Sequence, residues 1–131
     1  MTASKKINLE KIMLHHKIWL ASTDDTGILG DGKWLILKAI HQTGSLMGAC
    51  AKLDLTYRRT WGDLKKIEQM LGFPLIEKSR GGRDGGTSSL SPQGKLLVDA
   101  FDKFHQKVDV VIAAAFTELK TSLLEINSGK K

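Results

Sequence analysis

One stretch limits what this chain can become. Residues 43–83 read as two short helices, a tight turn between them and a glycine-rich basic loop. Ser45 offers a side-chain oxygen to the start of a helix over Leu46 to Lys52. The small residues Gly48, Ala49, Cys50 and Ala51 let a neighbouring helix approach it closely. A turn follows around Leu53–Leu55. The next helix is capped by Thr56, opens with TYRRTW and runs to about Leu71, before Gly72 and Pro74 end it. Trp61, Leu64, Ile67, Glu68 and Leu71 recur at helical spacing, and the apolar members, Trp61 included, form the core stripe. Arg58, Arg59, Gly62, Lys65 and Lys66 lie off that stripe, toward solvent. Two apolar-seamed helices joined by a tight turn, the second led by exposed cations, form the unit that enters a DNA major groove. The loop in EKSRGGRDGGTSS is flexible and positive, so it can follow a phosphate backbone.

The flanking sequence supplies the rest of a small domain. Residues 1–10 read as a flexible lead-in. KIMLHHKIWLA, from Lys11 to Ala21, is followed by the turn STDDTG and by Ile28 and Leu29, which suggests a β-hairpin. A helix across Asn8–Leu20 competes, because Leu9, Ile12, Met13, His16 and Leu20 also fall at helical spacing. Asp31 or Gly32 starts a helix through WLILKAIHQ, which Gly44 stops. Leu75–Lys78 and Ser89–Leu90 read as short strands around the basic loop. Ser91-Pro92 then starts a long helix reaching about Glu125. In it Leu97, Phe101, Phe104, Val108, Val111, Ala115 and Leu119 make nearly a heptad seam. Such a helix is on the order of 50 Å long, more than a small domain covers, so part of the seam should meet a second copy. The organisation is a lead-in at 1–10, a DNA-binding domain at 11–91, a dimerisation helix at 92–126 and a disordered tail at 127–131.

Charge points the same way. The net charge of +6 favours a polyanionic partner. Between Lys52 and Arg83 stand eight Lys or Arg against four acids, so that segment carries +4 of the +6. Cys50 is the only cysteine, which excludes an internal disulfide and fits a reducing compartment. No signal-peptide core and no bilayer-length apolar run is present, so the expected location is cytoplasmic, with no membrane partner. His15, His16, His41 and His105 are scattered and give no metal-ligand spacing. His15 and His16 would alternate across a strand. No nucleophile stands with a matching base, so neither an enzyme nor a cofactor is expected. RGGRDGG lacks the strand-before, helix-after context of a nucleotide-binding loop.

At this point a resemblance enters. LKAIHQTGSLMGACAKLDLTYRRTWGDLKKIEQMLGFPLIEKSRGGRDGGTSSLSPQGKLLVDAF resembles the winged helix-turn-helix domain of molybdate-responsive regulators of the ModE type. The telling pieces are TGS before one helix, TYRRTW opening the next, GFPLIE after it, and GGRDGG with SLSPQG. The wider pattern is shared with LysR-type N-terminal domains. The resemblance implies a mainly α fold with small β: a winged helix-turn-helix with an N-terminal β-hairpin and a long C-terminal dimerisation helix. It implies a transcriptional regulator that dimerises through its first and last elements. ModE-type regulators carry a further molybdate-binding domain, for which this chain leaves no room, so it looks like the DNA-binding half alone and is not expected to bind molybdate.

Ser45, Thr56, Tyr57, Arg58, Arg59, Gly62, Asp63, Lys65, Lys66, Arg80 and Arg83 are the candidate DNA contacts. Two arginines in the first turn of a helix oppose its macrodipole, so a local cost points to a role in binding. Arginine is suited to paired hydrogen bonds with guanine, worth about 1–3 kcal/mol in discrimination. Gly62 allows close approach to DNA or relieves crowding against Trp34 or Trp61. Arg80 and Arg83 can clamp the backbone or enter the minor groove. A different class of function stays open: a protein-interaction module on the same scaffold.

Overall fold

The computed structural model describes residues 5–78 and 87–129. A short 3-10 turn at Leu9–Lys11 precedes strands β1 (Trp19–Ala21) and β2 (Gly27–Gly30). Helices α1 (Asp31–Thr43), α2 (Leu46–Leu53) and α3 (Tyr57–Leu71) follow. Strands β3 (Ile76–Lys78) and β4 (Ser88–Leu90) come next, and helix α4 spans Pro92–Asn127. The chain divides into two compact units, one formed by Lys17–Asp102, the other by Met1–His16 with Lys103–Lys131.

The hairpin β1–β2 forms, but its first strand is much shorter than the apolar run suggests. Trp19 pairs with Gly30, Leu20 with Leu29 and Ala21 with Gly27, with a register shift between Leu20 and Ala21. Its partner β2 is four residues long and runs straight into α1, so nothing extends the ladder back toward Lys11. The alternative helix across Asn8–Leu20 is absent, apart from the one 3-10 turn. Asp31 marks the junction. Its carboxylate accepts the Ile18 N–H at 3.2 Å while its own N–H donates to the Ile18 carbonyl at 3.1 Å. At the hairpin tip Asp24 accepts from Ser22 Oγ and from the Thr26 N–H, and Asp25 takes a positive φ of 70°. The Ser22 bond, followed by those to Thr26, holds the Asp24 carboxyl below the usual range.

Helix ends follow the local signals. Gly44 and Gly72 take left-handed conformations (φ 86° and 84°) and close α1 and α3. Ser45 Oγ accepts the Gly48 N–H at 2.9 Å and caps α2. Thr56 occupies the N-cap position of α3, yet its hydroxyl makes no capping hydrogen bond, which corrects the expectation of a side-chain cap. The core of Lys17–Asp102 is continuous. Leu37 and Ile40 of α1, Leu46 and Ala49 of α2, Leu64 and Ile67 of α3, Leu75, Ile76 and Leu90 around the β3–β4 pair, and Val98 and Phe101 of α4 are all buried in it.

Polar ties lock this arrangement. Ser91, 1% exposed, accepts the Gly94 N–H as the cap of α4 and donates to the Pro74 carbonyl at 2.6 Å. Gly94 lies so near the Leu75 carbonyl oxygen that a Cβ there would collide with it. Glu68 is a second tie. Its carboxylate accepts the Leu75 and Ile76 N–H groups at 2.7 and 3.0 Å and pairs with Lys65 at 3.1 Å. Burial pushes its carboxyl up, but the two backbone N–H groups and Lys65 outweigh that and hold it below the ordinary value. Trp34 Nε1 donates to Asp102 at 2.7 Å, and Lys38 lies 4.4 Å from the Trp34 ring centroid and 3.5 Å from the same carboxylate.

In the other unit His16 and His105 approach one Asp109 oxygen at 3.7 and 3.5 Å, so two histidines far apart in sequence converge. His15 and His16 lie outside any strand, so their separation does not come from strand alternation as expected. Among the described residues no group of three His, Cys, Asp or Glu side chains is placed to hold a metal ion. None of the described helices is long and apolar enough to cross a membrane.

Candidate nucleic-acid interface

Helix α3 owes its orientation to Thr60, Leu64 and Ile67, which are buried on the side of the helix that packs with α2 and β2. At about 3.6 residues per turn, the row farthest from them holds Arg58, Gly62, Lys65 and Gln69, flanked by Arg59 and Lys66. Tyr57, Arg58, Arg59 and Lys66 are exposed. One face of one helix therefore gathers Arg58, Gly62, Lys65 and Lys66 from the candidate set, with Arg59 at its edge, while Tyr57 is exposed but stands in the row of Thr60 and Leu64.

Gly62 sits in the middle of that face. A Cβ built there meets nothing within 4 Å, so crowding against Trp34 or Trp61 does not explain the glycine. A glycine inside a helix costs roughly 0.5–1 kcal/mol relative to alanine. Nothing inside the described residues compensates that cost.

The remaining candidates divide. Asp63 pairs with Lys33 of α1 at 3.1 Å, so its charge is engaged within the fold. Thr56 and Arg59 line a depression of about 310 Å³ together with Lys33 and Asp63. Ser45 is occupied as the cap of α2. Lys65 is not simply solvated: it pairs with Glu68 and lies 5.4 Å from the Trp61 ring centroid. Arg80 and Arg83 lie outside the described residues.

Trp61 departs from expectation. It is 38% exposed and not part of the core. The buried arc of α3 is narrow, and Thr60, next to Trp61, takes the inward position with 4% exposure. Helical spacing alone gave Trp61 the same standing as Leu64. The signal that separates them is that Thr60, Leu64, Ile67 and Leu71 also form a helical row, with Trp61 on its margin.

Residues 33–95 match the family model described as bacterial regulatory helix-turn-helix protein, lysR family. The chain is 26% identical over 101 residues to the molybdenum-pterin-binding protein MopB of Rhodobacter capsulatus, covering 77% of this chain and 37% of that protein. It is 26% identical over 107 residues to the molybdenum transport protein ModE of Azotobacter vinelandii, covering 82% and 38%. To the transcriptional regulator ModE of Haemophilus influenzae it is 30% identical over 67 residues, covering 51% and 26%. The match thus spans between about a quarter and two fifths of the length of these relatives. Among solved structures, the full-length LTTR LysG from Corynebacterium glutamicum superposes with a TM-score of 0.46 at 24% identity, covering 71% of this chain and 29% of that one.

Proposed function

We propose, from the premise that residues 33–95 are a LysR-type helix-turn-helix DNA-binding domain similar to that of ModE regulators, that this chain reads a specific duplex sequence as a cytoplasmic homodimer. Helix α3 lies in the major groove with Tyr57, Arg58 and Arg59 at base edges. Thr56, Lys65 and Lys66 serve the backbone, and Arg80 and Arg83 hold the flanking duplex. Helix α4 pairs two protomers, with the N-terminal segment as a second contact. The operator is then roughly palindromic, with half-sites one helical turn apart or a multiple of it. The role is binding, and no catalytic step is assigned.

The single observation that carries this reading is the outer face of α3. Four basic side chains surround a glycine that has no internal reason to be glycine. Of the two acids near that face, Asp63 is turned to Lys33 and Glu68 is held by Lys65 and the Leu75 and Ile76 N–H groups. A surface that is cationic and open at its centre suits a polyanion that comes close.

Selection of bound duplexes from a random pool tests the proposal. A common half-site is expected, with affinity that falls steeply as salt rises. Arg59→Ala is expected to cost about 1–3 kcal/mol on the selected site and to relax preference at one base position. Equal loss on selected and random duplexes would remove Arg59 from base reading. Weak, salt-insensitive binding would favour the protein-interaction alternative.

A further inference from the structure

A small depression of about 120 Å³ opens between α3 and the β3–β4 pair, bordered by Trp61, Lys65, Lys78 and Ser88, with Ile76 and Glu77. Three features make it unlike an ordinary surface dent. Ser88 is a polar residue only 7% exposed, and its hydroxyl has no hydrogen-bond partner among the described residues. The indole N–H of Trp61 likewise has no acceptor there, whereas the Trp34 N–H is satisfied by Asp102. A tryptophan N–H ordinarily finds a partner. Lys78 faces Ser88 directly across the strand pair, exposed and without an ion-pair partner among the described residues. Two residues with unused donors and a cation therefore line one hollow, with Lys65 held above the Trp61 ring as a second cation. The one acid on the rim, Glu77, follows Ile76 and precedes Lys78, so strand alternation sends its carboxylate to the opposite face.

We infer that this hollow is an oxyanion site that seats one backbone phosphate of the bound duplex, with Trp61 Nε1–H and Ser88 Oγ–H donating to its oxygens and Lys78 neutralising it. The inference rests on the proposed DNA-binding reading. It places a phosphate between the helix that reads bases and the strands that lead into the basic loop. Contact at that point sets how deeply α3 sits and carries no sequence information of its own. The indole donor accounts for a tryptophan held half-exposed where the helix pattern alone would bury it. A free phosphate ion offers the same oxygens, and the measurements separate the two.

The experiment compares wild type, Trp61→Phe and Lys78→Ala in the full chain, on selected duplexes carrying a single methylphosphonate at successive backbone positions. Trp61→Phe keeps the ring and removes only the N–H. It is expected to weaken binding about tenfold, equally on selected and random sequences, with the salt slope unchanged, because a neutral donor releases no counterion. Lys78→Ala is expected to lower the salt slope by about one. At one backbone position the methylphosphonate should weaken wild type clearly more than it weakens Trp61→Phe or Lys78→Ala, because each variant has already lost part of the contact to that phosphate. Additive losses at every position would overturn the inference while leaving DNA binding intact. Absence of salt-dependent duplex binding by wild type would instead sink the reading beneath it. Displacement of the duplex by inorganic phosphate, lost in Trp61→Phe, together with methylphosphonate-insensitive binding, would assign the hollow to a free anion and overturn the duplex assignment.

Discussion

The outer face of α3 and the exposed stretch of α4 are both helix surfaces open to solvent, yet their chemistry is opposite. On α3 the exposed row is cationic around a glycine, and its apolar side is buried. On α4 beyond Lys103 the exposed residues include Phe104, Val110, Val111, Leu119 and Ile126, with Val111 at 67% and Leu119 at 51% exposure. Water solvates the first surface well and the second poorly. A basic face is stable alone and waits for a charged ligand. An apolar stripe of this length is costly alone and calls for another protein surface. The difference teaches that one chain presents two separate binding problems, which separate substitutions should affect independently.

The strongest break is expected on α4. Val111→Asp combined with Leu119→Asp places charge on the stripe proposed to pair protomers. Each apolar side chain buried there contributes roughly 1.5–3 kcal/mol, so dimer affinity should fall at least about a hundredfold. Light scattering across a concentration series checks this, and a wild type that is already a stable monomer would refute the pairing itself. Melting of the Lys17–Asp102 unit should change little, because those residues lie outside its core.

A middle-sized effect is expected at Glu68, which belongs to the framework behind α3. Glu68→Gln weakens the acceptor for the Leu75 and Ile76 N–H groups and should cost about 1–3 kcal/mol at neutral pH. The folded carboxyl titrates below its ordinary value, so its stabilisation is fully present above the unfolded value and disappears as pH falls through the folded one. Denaturant midpoints of wild type and variant should therefore differ at pH 7 and converge in acid. A gap that is constant with pH would show that the charge of Glu68 is not what stabilises the fold.

The smallest and sharpest test is Gly62→Ala. Free space around the position and ordinary helical placement predict a gain of roughly 0.5–1 kcal/mol in stability. The same methyl group should weaken duplex binding. A variant that is both more stable and equally tight would show that nothing approaches the centre of that face.

Much of this was legible from residue order. Gly44 and Gly72 at helix ends, Ser45 as a cap and Ser91-Pro92 as a helix start act over three or four residues, and each appears where read. Local signals failed where a neighbour in space competes. Thr56 has the right residue type and position for a cap, yet its hydroxyl makes no capping bond and the residue lines a depression with Lys33. The β1 strand begins late, at Trp19, because its partner becomes a helix after Gly30, which no count of apolar residues reveals.

What residue order determined on its own was the succession of elements and the sign of their exposed charge, because capping, turn chemistry and helical period are properties of adjacent residues. Tertiary structure alone decided which margin of α3 faces water. It turned Asp63 inward to Lys33 and Glu68 to the β3 backbone, and left Trp61 at the rim with its N–H free of any acceptor among the described residues. Periodicity draws a stripe of uncertain width. Only the elements packed against it settle which residues at its edges are covered, and those elements come from distant parts of the chain.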